Sequence, residues 1–345
     1  MRLTRRGALG SAAAYGALPI RLARSDLVFP EKDWQRESPQ ELGFNPEALR
    51  TLERRVGGAG CVVRHGCVAH SWGGDGSRKE WASAAKPVLG TLLMVAAERR
   101  YVRGPEVRVD TYGWLLKEKD RAMTLGHLAN MTSGYGCREQ PGTAWGYNDL
   151  GIQLYAMTLE RVLGCSLQTA VEQGLGGLGF QDGALFESRS GRGVRTSPRD
   201  FARVGWLWLN EGRWRGRQVL PRHLFRQCRT VHVGADTPRT AAGGSDYLGI
   251  GTYGGGVNQT PYGPGVYGFN WWFNEVVPGS GSRVWPSLPS DAYQANGLWN
   301  RDTVTIVPSL GIVAAIAGAR VGAFEPGKVD GEANRNLGLL VEGLR

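Results

Sequence analysis

Trp81-Ala82-Ser83-Ala84-Ala85-Lys86-Pro87 is the stretch on which the reading of this chain turns. Ser83 and Lys86 stand three residues apart. Val88, Leu89, Leu92, Leu93, Val95 and Ala96 follow at helical spacing, so the stretch predicts a helix start. Positions i and i+3 share one helix face and reach each other. The first turn leaves backbone N–H groups free and carries the positive end of the helix dipole, which favours negative charge. A serine hydroxyl is a weak nucleophile until a base takes its proton. Lysine is such a base when burial or neighbouring charge lowers its pKa, and arginine cannot match it.

The lysine is informative because the chain has so few. Of 41 Lys+Arg, six are lysine: Lys32, Lys79, Lys86, Lys117, Lys119 and Lys328. A lysine is kept at the one place where the chemistry needs a side chain that can lose its proton. Pro87 fits a first turn that lacks intrahelical N–H partners. An isolated S-x-x-K is nonetheless a weak motif, and chance spacing is its bland reading.

Working outward, the chain has 345 residues, 41% hydrophobic and 21% charged, which is ample for a large core. Net charge is +10, but the arginines are spread along the chain without a basic block interleaved with aromatics. That argues against a nucleic-acid surface. The five cysteines (Cys61, Cys67, Cys137, Cys165, Cys228) have irregular spacing and no C-x-x-C. They form neither a zinc framework nor an obvious disulfide scaffold, although a Cys61–Cys67 bridge across Arg64-His65-Gly66 is conceivable. No H-x-x-x-H pair occurs, so neither a metal site nor any other cofactor is expected. At the N-terminus, Arg5-Arg6 precede a short run of small residues. Residues 1–26 read as a twin-arginine export signal or a disordered basic tail, the first implying a periplasmic or secreted protein and the second allowing a cytoplasmic one. No stretch is long and apolar enough for a transmembrane helix.

Asn45-Pro46 opens an amphipathic helix within 38–57, a cap followed by proline. Two apolar runs around His65-Gly66, between Cys61 and Trp72, predict a β-hairpin. Helices are expected at 124–131, 150–163 and 198–211. Residues 233–266, rich in Gly, Thr and Pro, read as an extended loop. Strands are expected at 268–274, 302–308 and 310–317, the last two forming a hairpin, and a closing helix at 332–344. Strands at both ends then pair in one antiparallel sheet flanked by helices, an α/β fold with a mainly helical inserted subdomain.

The second informative stretch is Pro141-Gly-Thr-Ala-Trp-Gly-Tyr147-Asn-Asp149. A tyrosine beside a lysine can shuttle protons between a serine and its leaving group. The alternative is a core tyrosine with Asp149 capping the helix that follows. Taken together, Ser83-x-x-Lys86, Thr132-Ser-Gly134, Pro141-Gly and Tyr147-x-Asp149 resemble the serine β-lactamase and penicillin-binding-protein superfamily. The likeness is to its class C branch of esterases, D-aminopeptidases and nylon-oligomer hydrolases. It runs over roughly residues 38–320, including the two hairpins and Arg199-Asp-Phe-Ala-Arg-Val-Gly-Trp-Leu.

The resemblance implies a β-lactamase/transpeptidase-like serine hydrolase domain over 27–345. Residues 27–115 and 266–345 would form the sheet subdomain, and 116–265 the helical and loop insertion. Ser83 would be the acylated nucleophile, Lys86 its general base or proton partner, and Tyr147 the group that activates the serine, protonates the leaving group and later activates water, with either Lys86 or Tyr147 taking the first proton. The oxyanion hole would use the N–H of Ser83 and one from the strand near 293–299. Two departures stand out. The family's second motif ends in asparagine, whereas Asp149 stands here. Its third motif, with lysine or histidine on the edge strand, is best matched by Ala295-Asn296-Gly297, which has neither. A cation there would pair with a substrate carboxylate. An ester or amide without a strongly recognised carboxylate is therefore the expected small-molecule or peptide-like substrate. The alternatives are a penicillin-binding-type D-Ala peptidase or β-lactamase, and a non-catalytic binding protein on a decayed hydrolase fold. No G-x-S-x-G occurs, which disfavours a Ser-His-Asp hydrolase. Trp145, Trp271, Trp272 and Trp299 are candidates for an aromatic pocket wall, with burial in the core the expectation for most of them. Nothing in the sequence bears on oligomeric state.

Overall fold

The computed structural model describes residues 28–183, 185–186, 192–321, 325–328 and 331–345. The basic segment 1–26, with its export reading, lies outside them.

An eight-stranded sheet joins the two ends of the described chain. Its strands are β1 (Gln35–Arg36), β2 (Ala59–Arg64), β3 (Cys67–Trp72), β8 (Tyr267–Gly268), β9 (Trp271–Phe273), β10 (Tyr293–Gly297), β11 (Asp302–Val307) and β12 (Ile312–Ala317). Two-residue ribbons lie outside it: β4 (Lys79–Glu80) with β5 (Arg195–Thr196), and β6 (Arg213–Trp214) with β7 (Arg217–Gln218). The sheet order is β1-β3-β2-β12-β11-β10-β9-β8. β12 runs antiparallel to β2 from Ile312↔Arg64 to Ala317↔Ala59, so the C-terminal hairpin docks on the N-terminal one. The expected antiparallel sheet is found, except that the short β1 adds to β3 in parallel.

Every residue of β2, β11 and β12 is buried, as expected of strands covered on both faces. Helix α1 (Pro46–Val56) starts at Asn45, whose side chain accepts from Glu47 N, with Pro46 in the first turn. Leu52 and Val56 of α1 and Leu337 of the C-terminal helix line a small cavity over Thr303 and Ile316 of the sheet. On the opposite face lies α6 (Pro198–Leu209). Gly205 makes that approach possible, since a Cβ there would stand 2.6 Å from Val313 Cγ1 and 2.9 Å from Val304 Cγ1. The sequence reading assigned 198–211 to the insertion at 116–265, but α6 packs on β2, β11 and β12 and belongs with the sheet.

Helix α2 (Lys86–Glu98) is buried from Lys86 through Ala96, apolar nearly all round. It is surrounded by α4 (Asp149–Leu163), α5 (Leu167–Leu175) and α7 (Arg222–Cys228). The remaining helices are shorter than expected. α3 spans Leu125–Ala129 behind a Thr124–His127 capping box, and α8 spans Glu332–Gly338, ending before Leu344. Between α7 and β8 the chain forms neither helix nor strand, as its composition implied. All five cysteines are free thiols. In the hairpin Cys61 faces Ser71 and Cys67 faces Arg64, so the conceivable Cys61–Cys67 bridge does not form.

Candidate active site

Ser83 lies on a single 3₁₀ turn, Ala82–Ala85, that leads directly into α2. It therefore precedes the α-helix, and Lys86 is the helix's first residue. The turn is anchored by Trp81, whose Nε1 donates to Thr196 O at 2.9 Å and whose ring meets Phe201 edge-on at 4.7 Å. Ala82 has φ +44°, a left-handed conformation that costs energy for a residue with a Cβ. That strain sits beside the serine.

Tyr147 and Asp149 flank the cap of α4. Asn148 is the N-cap, its Oδ1 accepting from Leu150 N at 3.0 Å and Gly151 N at 3.1 Å. Its Nδ2 donates to Tyr135 O at 2.5 Å. Asp149 is thus not the cap that the core reading required. It is the first helical residue, and its side chain turns to Lys86.

Lys86 is fully buried, and three side chains surround its ammonium. Nζ lies 2.5 Å from Ser83 Oγ, 3.1 Å from Tyr147 OH and 2.8 Å from Asp149 Oδ1. The Asp149 contact is an ion pair by distance but lies outside hydrogen-bonding angles. Nζ also stands over the rings of Tyr147 and Tyr253, 4.7 Å and 5.2 Å from their centroids. Burial pushes the Tyr147 hydroxyl well above the usual tyrosine range, the Asp149 charge adds to this, and a hydrogen bond with Ser83 opposes it. Tyr147 is therefore a neutral phenol at physiological pH.

Ala295-Asn296-Gly297 ends β10, alongside the Ser83 turn. A Cβ on Gly297 would lie 2.6 Å from Trp81 O, 2.8 Å from Ala84 N and 3.1 Å from Ser83 N, so only glycine lets the strand come this close. β10 is not the outermost strand, because β9 and β8 lie beyond it. β9 pairs with Tyr293 and Gln294, however, and among the described residues no strand pairs with Ala295 to Gly297 on that side.

An open cleft joins these parts, lined by Ser83, Tyr147, Gln259, Trp272, Asn296, Leu298 and Trp299. None of these side chains is charged. Trp272 stacks on Tyr147 with centroids 6.2 Å apart, and Trp299 is 43% exposed at the rim. Trp145 and Trp271 are fully buried in the core. The segment 253–259 closes over the helix start by main-chain bonds, Tyr253 N to Asp149 O at 3.1 Å and Gln259 N to Tyr147 O at 3.4 Å. Sequence reasoning missed Tyr253 and Gln259, which lie in a loop with no periodicity. It also missed Asn148, whose signal was available: asparagine just before an apolar helical run. Among the described residues no group of three or more His, Cys, Asp or Glu could hold a metal ion.

The beta-lactamase family model matches residues 47–338, which includes every element of this site. The chain belongs to the beta-lactamase family of hydrolases. No curated protein sequence matches it. Solved structures of similar fold include a family VIII carboxylesterase, 12% identical with TM-score 0.61, covering 87% of this chain and 98% of that one. A beta-lactamase from Mycobacterium bovis is 17% identical with TM-score 0.59, covering 86% and 100%. A beta-lactamase/D-alanine carboxypeptidase from Yersinia pestis is 14% identical with TM-score 0.58, covering 86% and 96%. At these identities the likeness concerns the fold. Within the beta-lactamase family fold, the helices flank the sheet and the serine turn sits beside β10. No helix among the described residues is long and apolar enough to cross a membrane.

Proposed function

We propose that this beta-lactamase-family protein is a serine hydrolase that forms an acyl-enzyme at Ser83 and cleaves an ester or amide with no strongly recognised carboxylate. The observation that carries this is the contact of Lys86 Nζ with both Ser83 Oγ and Tyr147 OH at the floor of an open cleft. The reacting form has Lys86 unprotonated. Ser83 Oγ attacks the carbonyl and gives its proton to Lys86 Nζ, 2.5 Å away. Lys86 passes a proton to Tyr147 as Tyr147 protonates the leaving group. Tyr147, a neutral phenol, suits the role of donor. Water then attacks the acyl carbon and gives a proton through the same pair to Ser83 Oγ, as the Ser83–acyl bond breaks and the acid is released. The Ser83 amide and the amide that follows Gly297 are the proposed oxyanion donors, and the close approach of β10 to the turn supports that pairing.

The lining supports the substrate class. A β-lactam or D-Ala-D-Ala peptide carries a carboxylate, and among the described residues no side chain lining the cleft offers it a cation. Asp149 adds a buried negative charge behind the lysine. Export to the periplasm is proposed on Arg5-Arg6 alone.

Incubation with an activated ester, followed by mass spectrometry of the peptides, tests the reading. The acyl group is expected on Ser83 and absent in Ser83→Ala. Acylation elsewhere, or none, would leave the non-catalytic binding protein. Penicillin turnover at rates matching ester turnover would favour the peptidase or β-lactamase reading.

A further inference from the structure

Three successive residues just after β10 have left-handed backbones although none is glycine: Leu298 at φ +44°, Trp299 at φ +57° and Asn300 at φ +73°. Each such residue costs energy, and an isolated loop would not keep three. A buried amide pair holds them. Asn296 Nδ2 donates to Asn300 Oδ1 at 2.6 Å, and Asn300 N donates to Asn296 Oδ1 at 3.0 Å. Asn296 Nδ2 also donates to Gln294 Oε1 at 2.6 Å, and Gln294 Nε2 to Thr305 Oγ1 at 2.8 Å, which ties the turn to β11.

The turn leaves two large apolar side chains in solvent. Leu298 is 52% and Trp299 43% exposed, and both line the cleft that holds Ser83. Strain maintained to expose apolar surface has no use for stability, and its placement beside a nucleophile indicates a ligand. Tyr147 and the turn after β10 line the same cleft. With the leaving group departing beside Tyr147 as its proton donor, the acyl group is assigned to Leu298 and Trp299.

We propose that Leu298 and Trp299, held by the Asn296–Asn300 amide pair, bind the acyl side of the substrate and select aryl or medium-length alkyl acyl groups. This rests on Ser83 being the nucleophile and Tyr147 the donor to the leaving group. Asn300 acts as a positioning residue.

The test is a series of p-nitrophenyl esters from acetate to hexanoate. In the wild type, kcat/KM rises by about two- to fourfold per added methylene, the range for burying one CH₂ wholly or in part. The Leu298→Ala/Trp299→Ala double variant flattens the series. Asn300→Gly keeps a residue at ease with positive φ but deletes the side-chain bond. It also flattens the series, through KM for the longer esters, while its melting temperature shows that the fold persists. An alkyl acetate series, which varies the alcohol, shows no such change between variants. A wild type indifferent to acyl length, or a double variant with the wild-type slope, overturns the proposal. Calorimetric binding of the same esters to Ser83→Ala separates the rim from the chemistry. Length-dependent binding there without wild-type turnover would keep the acyl clamp and discard the hydrolase reading, whereas length-independent binding would discard the clamp.

Discussion

On the proposed mechanism, replacing Ser83 by alanine leaves Lys86 with nothing to activate. Ester turnover is expected to fall by about 10⁴-fold or more, as for other nucleophile deletions, in a steady-state assay on purified protein. Lys86→Arg is the sharper residue-scale test, because it keeps the charge beside Asp149. Arginine cannot lose its proton, so activity should fall about 10²- to 10⁴-fold, the usual worth of a general base. Asp149→Asn tests the electrostatics. Its charge is one cause of the raised Tyr147 pKa, so removing it moves that pKa down toward the ordinary tyrosine value. Tyr147 must be protonated to donate, so the alkaline limb of the kcat/KM profile should shift to lower pH in the variant. An unmoved limb would mean that Tyr147 is not the group titrating there. The nearness of Ser83 and Lys86 could be read from the sequence because both lie in one short motif, whereas Tyr147 was expected beside them only through the family resemblance. The turning of Asp149 toward Lys86 could not, because it depends on the crossing of α2 and α4, two helices far apart in sequence.

At the scale of elements, the site depends on where turns and strands come to rest against each other. Gly297→Ala would press a methyl against Trp81 O and Ala84 N, both backbone atoms that cannot swing away. β10 should be forced off the serine turn, with a loss of about 1–3 kcal/mol in denaturant unfolding and a larger relative loss in kcat. Asn148→Ala removes the cap of α4 at a cost of about 1 kcal/mol. Because Tyr147 and Asp149 flank that cap, its effect on turnover should exceed its effect on stability. Hairpins and capped helices were legible here, since alternation, Asn45-Pro46 and His65-Gly66 are local signals. Helix partners were not. The apolar face of α6 announced burial, but only the close fit of Gly205 to Val304 and Val313 shows that it lies on the sheet. The loop at 253–259 gave no periodic signal, and two of its residues complete the site.

For the whole molecule, the free thiols carry a prediction. Burial raises Cys61 and Cys228 to about 12, and burial with nearby Glu37 raises Cys67 to about 11. Such thiols are protonated and poorly reactive at neutral pH. Adding a reductant should leave the melting temperature unchanged, as followed by circular dichroism. A drop of several degrees would point to a bridge. The fold class followed from strands at both ends of the chain, but the division into sheet and insertion did not, because the chain crosses between the two parts more than once.

The segment 253–259 is fastened to the main chain of Tyr147 and Asp149 themselves. A cover attached elsewhere could swing aside and leave the machinery intact beneath it. Here the fastening and the machinery share the same peptide groups, so peeling back the cover also loosens the phenol and the carboxylate. Opening of this segment and loss of the Tyr147 and Asp149 geometry are therefore one event rather than two.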